Sequence, residues 1–146
     1  LDAAYAERFG AALKAAPFAH WLPGVPPHHM PSAYRAADVV LNGSRAEGLA
    51  NVLLEAGLAG VPSLAASLPA NREVLEGDRG EPGGLLYDPT RPGGFHGQAL
   101  RLVDDPALRT RLGQAARANA RRWPQPAQEA AALVAVYRDL LTGETG

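Results

Sequence analysis

Residues 44–60 read SRAEGLANVLLEAGLAG and are mostly apolar after the first four positions. Apolar residues around most of the circumference predict a helix packed in a core. The candidates for chemistry, Glu47, Asn51 and Glu55, stand four apart, so one helix would place them in a single stripe. A carboxylate on a largely buried helix is costly unless it is paired. We therefore expect both glutamates to hold a ligand; the alternative is an N-terminal cap by Glu47 and a solvent-facing Glu55.

The spacing of the two carboxylates limits their chemistry. Eight helical residues span about 12 Å, whereas two carboxylates that act on one glycosidic bond lie within about 10 Å. A hydrolase pair therefore fits poorly, and the two ends of an elongated ligand fit better. Gly48 would allow close backbone approach, and free N–H groups of residues 48–51 at the helix start predict an anion site. A phosphate there, with a sugar hydroxyl on either side, describes a nucleotide-sugar.

Helical and strand-like segments alternate along the chain, which predicts an α/β fold with a Rossmann-like, doubly wound parallel sheet flanked by helices. The predicted strands are 18–22, 38–41, 63–66 and 85–87. The predicted helices are 2–16, 31–37, the one within 44–60, 71–75, 94–103, 106–122 and a final one with an apolar stripe (Ala130, Leu133, Val134, Tyr137, Leu140, Leu141). A Gly- and Pro-rich loop is expected over residues 77–84. Ligands bind at the carboxyl ends of such strands, so the loops after Leu22, Leu41 and Ala66 would share one edge.

Composition excludes several classes of function. The chain has 146 residues, which predicts one domain, and a net charge of −1, which gives no basic field for nucleic acid. Without cysteine there is no disulfide or thiolate metal site. His28 and His29 are adjacent but have no third partner, so we expect no metal. Abundant alanine and arginine indicate a GC-rich bacterial source, and we expect a cytoplasmic protein or one peripheral to the inner face of the membrane.

Several motifs occur in an order and spacing that match one family. They are 21–25 (WLPGV), 34–39 (YRAADV), 44–56 with its Glu-x7-Glu pattern, 60–66 (GVPSLAA), 68–73 (LPANRE), 84–88 (GLLYD) and the helix 105–117. Together they resemble the donor-binding, C-terminal lobe of GT-B-fold retaining glycosyltransferases of the group 1 (family 4) type. The resemblance covers most of the chain.

The resemblance implies a role for each matching position. Glu55 would accept hydrogen bonds from the donor ribose, and Glu47 would be the catalytic residue that contacts the transferred sugar or its acceptor near the anomeric carbon. Backbone around Gly24 and Val25 would border the base. The remaining donor-binding positions are Ser44, Gly48, Leu49, Ala50 and Asn51, with the N–H groups of Leu49 and Ala50 cradling the diphosphate. The NDP-sugar would be a substrate, with no metal or other cofactor.

The resemblance also implies what the chain would need from elsewhere. It assigns residues 1–146 to one donor lobe that lacks its first two strands and the basic pair beside them. We therefore expect a missing N-terminal lobe or a partner chain, and an unknown acceptor that is a glycan, a lipid or a small molecule. We expect the chain to be the nucleotide-sugar-binding part of a hexosyltransferase. We expect the chain to be inactive on its own. The alternatives are a non-catalytic nucleotide-sugar-binding or assembly module and, more distantly, an epimerase on the same fold.

Overall fold

The computed structural model describes residues 2–76, 80–124 and 126–143, and the chain divides into two units, residues 1–30 and 31–146. The first unit contains α1 (Ala3–Ala15), which begins after Asp2 because the Asp2 carboxylate accepts a hydrogen bond from the Ala4 N–H at 3.1 Å. A 3-10 turn follows at Pro27–His29. The helix predicted over residues 2–16 is therefore confirmed.

The strand predicted over residues 18–22 is wrong. These residues form no strand, and the side chains of Phe18, Trp21 and Leu22 are 85%, 61% and 67% exposed. A strand needs a neighbouring strand that hydrogen-bonds its N–H and C=O groups. The described residues of the first unit contain no strand that could do so. An apolar run without such a neighbour stays irregular. The loop after Leu22 is consequently not the end of a strand.

The rest of the chain alternates strands with helices. Its elements are α2 (Met30–Arg35), β1 (Val40–Asn42), α3 (Asn51–Ala59), β2 (Ser63–Ala66), α4 (Pro69–Glu76), β3 (Gly84–Tyr87), α5 (Gly94–Asp104), α6 (Pro106–Ala120) and α7 (Pro126–Thr142). The predicted strand at 63–66 is confirmed to the residue. The strand expected at 38–41 lies at 40–42, and the short helix expected at 71–75 is longer at both ends. Of the predicted 77–84 loop, residues 77–79 lie outside the described residues.

The strands form one parallel sheet in the order β1-β2-β3. Leu41 is in register with Leu64, and Leu64 is in register with Leu85. The expected α/β fold is confirmed as a three-stranded parallel sheet flanked by helices. Because the strands are parallel, Asn42, Ala66 and Tyr87 end them on one side, the carboxyl edge of the sheet.

Two apolar clusters cover the two faces of this sheet. Successive residues of β2 point to opposite faces, and Leu64 and Ala65 accordingly belong to different clusters. The first cluster consists of Ala50, Leu53, Ala65, Val74 and Leu75. The second consists of Leu64, Leu102, Leu108 and Leu112. All four residues of β2 are buried, as expected for the central strand of a parallel sheet covered on both faces.

A close contact between α3 and α6 fixes where α3 lies. At Gly57 an added Cβ would meet the carbonyl oxygen of Ala116 at 2.9 Å and the Cβ of Ala120 at 3.0 Å, so only glycine allows this approach. The helix ends at Gly60, whose left-handed backbone (φ 79°) suits glycine. α3 is therefore held firmly against the core along one side.

The apolar stripe on α7 is present, but it faces solvent. Leu133, Val134, Tyr137, Leu140 and Leu141 are 46–87% exposed. Within the described ranges, no helix has both the length and the hydrophobicity needed to cross a bilayer. The expected location of the protein stays a prediction.

Candidate functional site

The loop between β1 and α3 is organised by one buried side chain, that of Asn42. Its Oδ1 accepts a hydrogen bond from the Ser44 N–H at 2.9 Å, and its Nδ2 donates to Oε1 of Glu47 at 3.1 Å. An asparagine that bonds the backbone two residues ahead forms an Asx turn, which competes with helix formation. Asn42 thus holds Glu47 at the carboxyl edge of the sheet.

Glu47 is half-buried and carries a negative charge at neutral pH. Hydrogen bonding from Ser44, followed by the bond from Asn42, holds the pKa of its carboxyl below the ordinary glutamate value, against a small opposing effect of burial. A carboxylate stabilised in its charged form accepts hydrogen bonds and does not act as a general acid. Its chemistry is that of an acceptor for hydroxyl groups or a partner for positive charge.

The helix predicted within residues 44–60 begins later than expected, and the single stripe of glutamates is wrong. α3 starts at Asn51 after Ala50, which provides no side-chain cap. Glu47 therefore lies in the loop rather than on the helix, and it is not the N-terminal cap. The physical reason is that Asn42 already bonds Ser44 and Glu47, so these residues adopt a turn instead of the first helical turn.

The backbone before α3 still presents N–H groups. Those of Gly48, Leu49 and Ala50 have no acceptor among the described residues. The Asn51 N–H is different because it donates to the Leu49 carbonyl at 3.0 Å, so the expectation that residues 48–51 are all free is wrong at Asn51. Gly48 and Leu49 are exposed, whereas Ala50 is buried. N–H groups beside the positive end of a nine-residue helix are donors suited to an anion.

Glu55 lies in the second turn of α3 on its exposed side. The premise that burial forces it to have a partner is wrong, since only one side of α3, with Leu53, Ala56 and Gly57, is in the core. Glu55 nevertheless has a partner. The hydroxyl of Tyr34 on α2 donates to its Oε2 at 2.7 Å.

Tyr34 is a buried residue, only 7% exposed. Burial, then the hydrogen bond to Glu55, then the repulsion between tyrosinate and the Glu55 carboxylate raise the pKa of Tyr34 to about 12. The hydroxyl therefore stays protonated and remains a donor throughout the physiological range. This contact links residues that are 21 positions apart in the chain.

Other candidates are less informative. Arg72, in the motif at residues 68–73, forms an exposed ion pair with Glu76 at 3.0 Å and also contacts the Ser67 hydroxyl. Gly24 and Val25 belong to the first unit, and their proximity to a base stays a prediction. Among the described residues, no group of three His, Asp or Glu side chains could hold a metal ion.

Sequence reasoning missed two residues that organise the site, Asn42 and Tyr34. The signal for Asn42 was available as a strand end followed by Gly43 and Ser44, a typical turn sequence. Tyr34 gave a weaker signal. It is the one aromatic residue in a short segment of small and polar residues, and only the fold brings it to Glu55.

The site lies within a region that matches a known family. The family described as "Glycosyl transferases group 1" matches residues 6–119. The D-inositol 3-phosphate glycosyltransferase of Corynebacterium glutamicum (strain R) is 35% identical over 122 residues, which cover 82% of this chain and 28% of that protein. The protein of the same name from Kineococcus radiotolerans is 37% identical over 112 residues, or 72% of this chain and 25% of that protein.

A solved structure shows the same fold. Sucrose-phosphate synthase from Thermosynechococcus elongatus superposes with a TM-score of 0.83 over 98% of this chain and 36% of that chain, at 21% sequence identity. The curated relatives are much longer than this chain, which spans about a quarter of their length. Since the family match covers well over half of its residues, the chain belongs to the group 1 glycosyltransferases.

Proposed function

We propose that this chain is the nucleotide-sugar-binding part of a retaining glycosyltransferase, which transfers a hexosyl group from an NDP-sugar to an acceptor. The observation that carries the proposal is the arrangement around the start of α3. Along the chain, three N–H groups without an acceptor in the described structure come between Glu47, held in its charged form, and Glu55, held by Tyr34. A diphosphate flanked by two sugars has the complementary chemistry.

The N–H groups of Gly48, Leu49 and Ala50 would bind the diphosphate. The positive end of α3 adds to their effect. When the bond between the anomeric carbon and the phosphate oxygen breaks, its electron pair stays on the diphosphate. Donors that are already in place stabilise this developing charge without reorganisation. Because these N–H groups and the helix end supply positive potential at the diphosphate, the proposed site would need no metal ion.

Glu47 would act on the transferred sugar. Its charged carboxylate can accept hydrogen bonds from sugar hydroxyls and offset positive charge at the anomeric carbon. It does not supply a proton to the leaving group, because Asn42 and Ser44 favour its charged form. The acceptor hydroxyl would form the new bond to the anomeric carbon, and its proton would go to the departing diphosphate.

Glu55 would accept hydrogen bonds from the ribose hydroxyls. Side chains on a helix lean toward its N-terminus, so the Glu55 carboxylate would be directed toward the turn of α3 that carries Asn51. An acidic residue performs the same task for ribose in dinucleotide-binding folds. Ser44 and Asn51 complete the part of the proposed donor site that lies within residues 31–146.

Calorimetric titration of the chain with UDP, GDP and ADP tests the proposal. We expect one nucleotide to bind and Glu55→Ala to weaken it by roughly 10- to 100-fold, the loss expected for charge-assisted hydrogen bonds. Glu129→Ala, which removes an exposed glutamate from α7, is the matched control and should bind as the wild type does. A chelator should leave the affinity unchanged. Absence of binding by a folded chain would contradict the proposal and favour a non-catalytic assembly module.

A further inference from the structure

We propose that Tyr34 is a positioning residue for nucleotide binding, which fixes the Glu55 carboxylate in the orientation that the ribose hydroxyls require. The inference rests on the proposed function and assigns a role to a residue outside the loop and helix that carry the site. It begins from the contact at 2.7 Å between the Tyr34 hydroxyl and Oε2 of Glu55.

The two partners differ in how firmly they are held. Glu55 is exposed on α3, and a glutamate side chain in solvent samples many rotamers, which must be given up when it binds a ligand. Tyr34 is buried, with 7% of its surface exposed, so its ring is restricted by packing. The hydrogen bond transfers that restriction to the carboxylate. The side chain of Glu55 then loses conformational entropy during folding and not during ligand binding.

The bond leaves the carboxylate able to bind a ligand. Tyr34 occupies Oε2, and Oε1 of Glu55 has no partner among the described residues. Tyr34 also remains a donor at every physiological pH, because its pKa is raised to about 12. Glu55 is therefore pre-oriented with one oxygen held and the other available, an arrangement suited to a hydroxyl donor.

A purely structural role for the bond, as a link between α2 and α3, makes a different prediction. A structural link would affect stability and would weaken all ligands alike. A positioning role affects only ligands that contact Glu55. Nucleotides with and without ribose hydroxyls separate the two roles, because a 2′,3′-dideoxy sugar offers nothing for the carboxylate to accept.

The experiment compares Tyr34→Phe with the wild-type chain, using UDP, GDP and ADP and the 2′,3′-dideoxy form of the nucleotide that binds. We expect Tyr34→Phe to weaken the ribonucleotide by about 3- to 10-fold, the effect of one hydrogen bond, and to leave the dideoxy nucleotide within about 2-fold. In a Glu55→Ala background, Tyr34→Phe should have no further effect. Tyr137→Phe, an exposed tyrosine on α7, controls for the substitution itself, and Leu108→Val controls for a loss of stability in the core.

Each outcome distinguishes the inference from the proposed function. If the wild type binds a nucleotide and Tyr34→Phe binds it equally well, the proposed function stands and the inference is overturned. Equal weakening of the ribonucleotide and its dideoxy form, or further weakening in the Glu55→Ala background, also overturns it. If the folded wild-type chain binds none of the three nucleotides, the proposed function fails and the inference fails with it.

Discussion

The two glutamates of the site are held in opposite ways. Glu47 lies in a loop and depends on its near neighbours, since Asn42 and Ser44 are five and three residues before it in the chain. Glu55 lies on a regular helix and depends on Tyr34, 21 residues away and on another helix. Glu47 is half-buried, and Glu55 is exposed.

One site is therefore built from local contacts at Glu47 and from a tertiary contact at Glu55. Hydrogen bonds from a strand end and the turn after it hold a half-buried carboxylate in a loop. A carboxylate on an exposed helix surface has a fixed backbone, but its side chain needs a contact from elsewhere in the fold. The two carboxylates should therefore respond differently to ligands and to substitutions, and the contacts that hold them should differ in their dependence on pH.

The largest expected difference is in ligand selectivity. Glu47→Gln should weaken binding of a nucleotide-sugar by roughly 10-fold, the effect of losing a charge-assisted hydrogen bond, and leave the nucleotide diphosphate within about 2-fold. Glu55→Gln should weaken both by a similar factor, because ribose is common to the two ligands. Calorimetry with UDP-glucose and UDP, GDP-mannose and GDP, or ADP-glucose and ADP measures this difference.

The control for this comparison is Glu129→Gln, which changes an exposed glutamate on α7 and should affect neither ligand. If Glu47→Gln weakened the nucleotide diphosphate as much as the nucleotide-sugar, Glu47 would contact the nucleotide and not the transferred sugar. The contrast between the two glutamates would then be one of structure only.

A smaller effect is expected from removing the local support of Glu47. Asn42→Ala deletes two hydrogen bonds of a buried side chain, and it should lower the free energy of unfolding by about 1–3 kcal/mol. The bond between Tyr34 and Glu55 should be unaffected. Chemical denaturation measures the loss. Asn51→Ala, at an exposed position on α3, is the matched control, and an equal loss in both variants would show that Asn42 has no special role.

The fold was predictable where the hydrophobic pattern of the sequence matches the burial of the residues in the structure. The segment of β2 is apolar, short and covered on both faces, and its predicted bounds are confirmed. The entry to α6 was also predictable, because Asp105 before Pro106 is a typical start, and the Asp105 carboxylate accepts from the Leu108 N–H at 2.8 Å. The segment 18–22 has a similar apolar pattern without a neighbouring strand, and pattern alone cannot reveal that difference.

The two glutamates of the site could be identified from the sequence, but their geometry could not. Glu47 and Glu55 were identified from their spacing, yet the helix that explained the spacing begins only at Asn51. The turn made by Asn42 overrides helix propensity through a local hydrogen bond, and it could be anticipated from the strand end and the Gly-Ser that follows. The pairing of Tyr34 with Glu55 could not, because no periodicity connects residues on two separate helices.

The smallest expected effect is a difference at the two ends of the pH scale. The pKa of Glu47 is lower in the folded chain, so the unfolded state binds more protons in acid, and this stabilisation is lost as pH falls through the folded pKa. The pKa of Tyr34 is raised to about 12, so its stabilisation is complete below the ordinary tyrosine value of about 10 and is lost as pH rises toward 12. Asn42→Ala should flatten the acid side of the unfolding free-energy profile only in part, because the hydrogen bond from Ser44 is the larger cause of the lowered pKa of Glu47, and Tyr34→Phe should flatten the alkaline side. Absorbance of tyrosinate gives a second measurement, since Tyr34→Phe should remove the tyrosine that ionises late. Glu55→Gln should lower that pKa only in part, because burial is its largest cause. Identical profiles for wild type and both variants would show that neither contact distinguishes the two carboxylates.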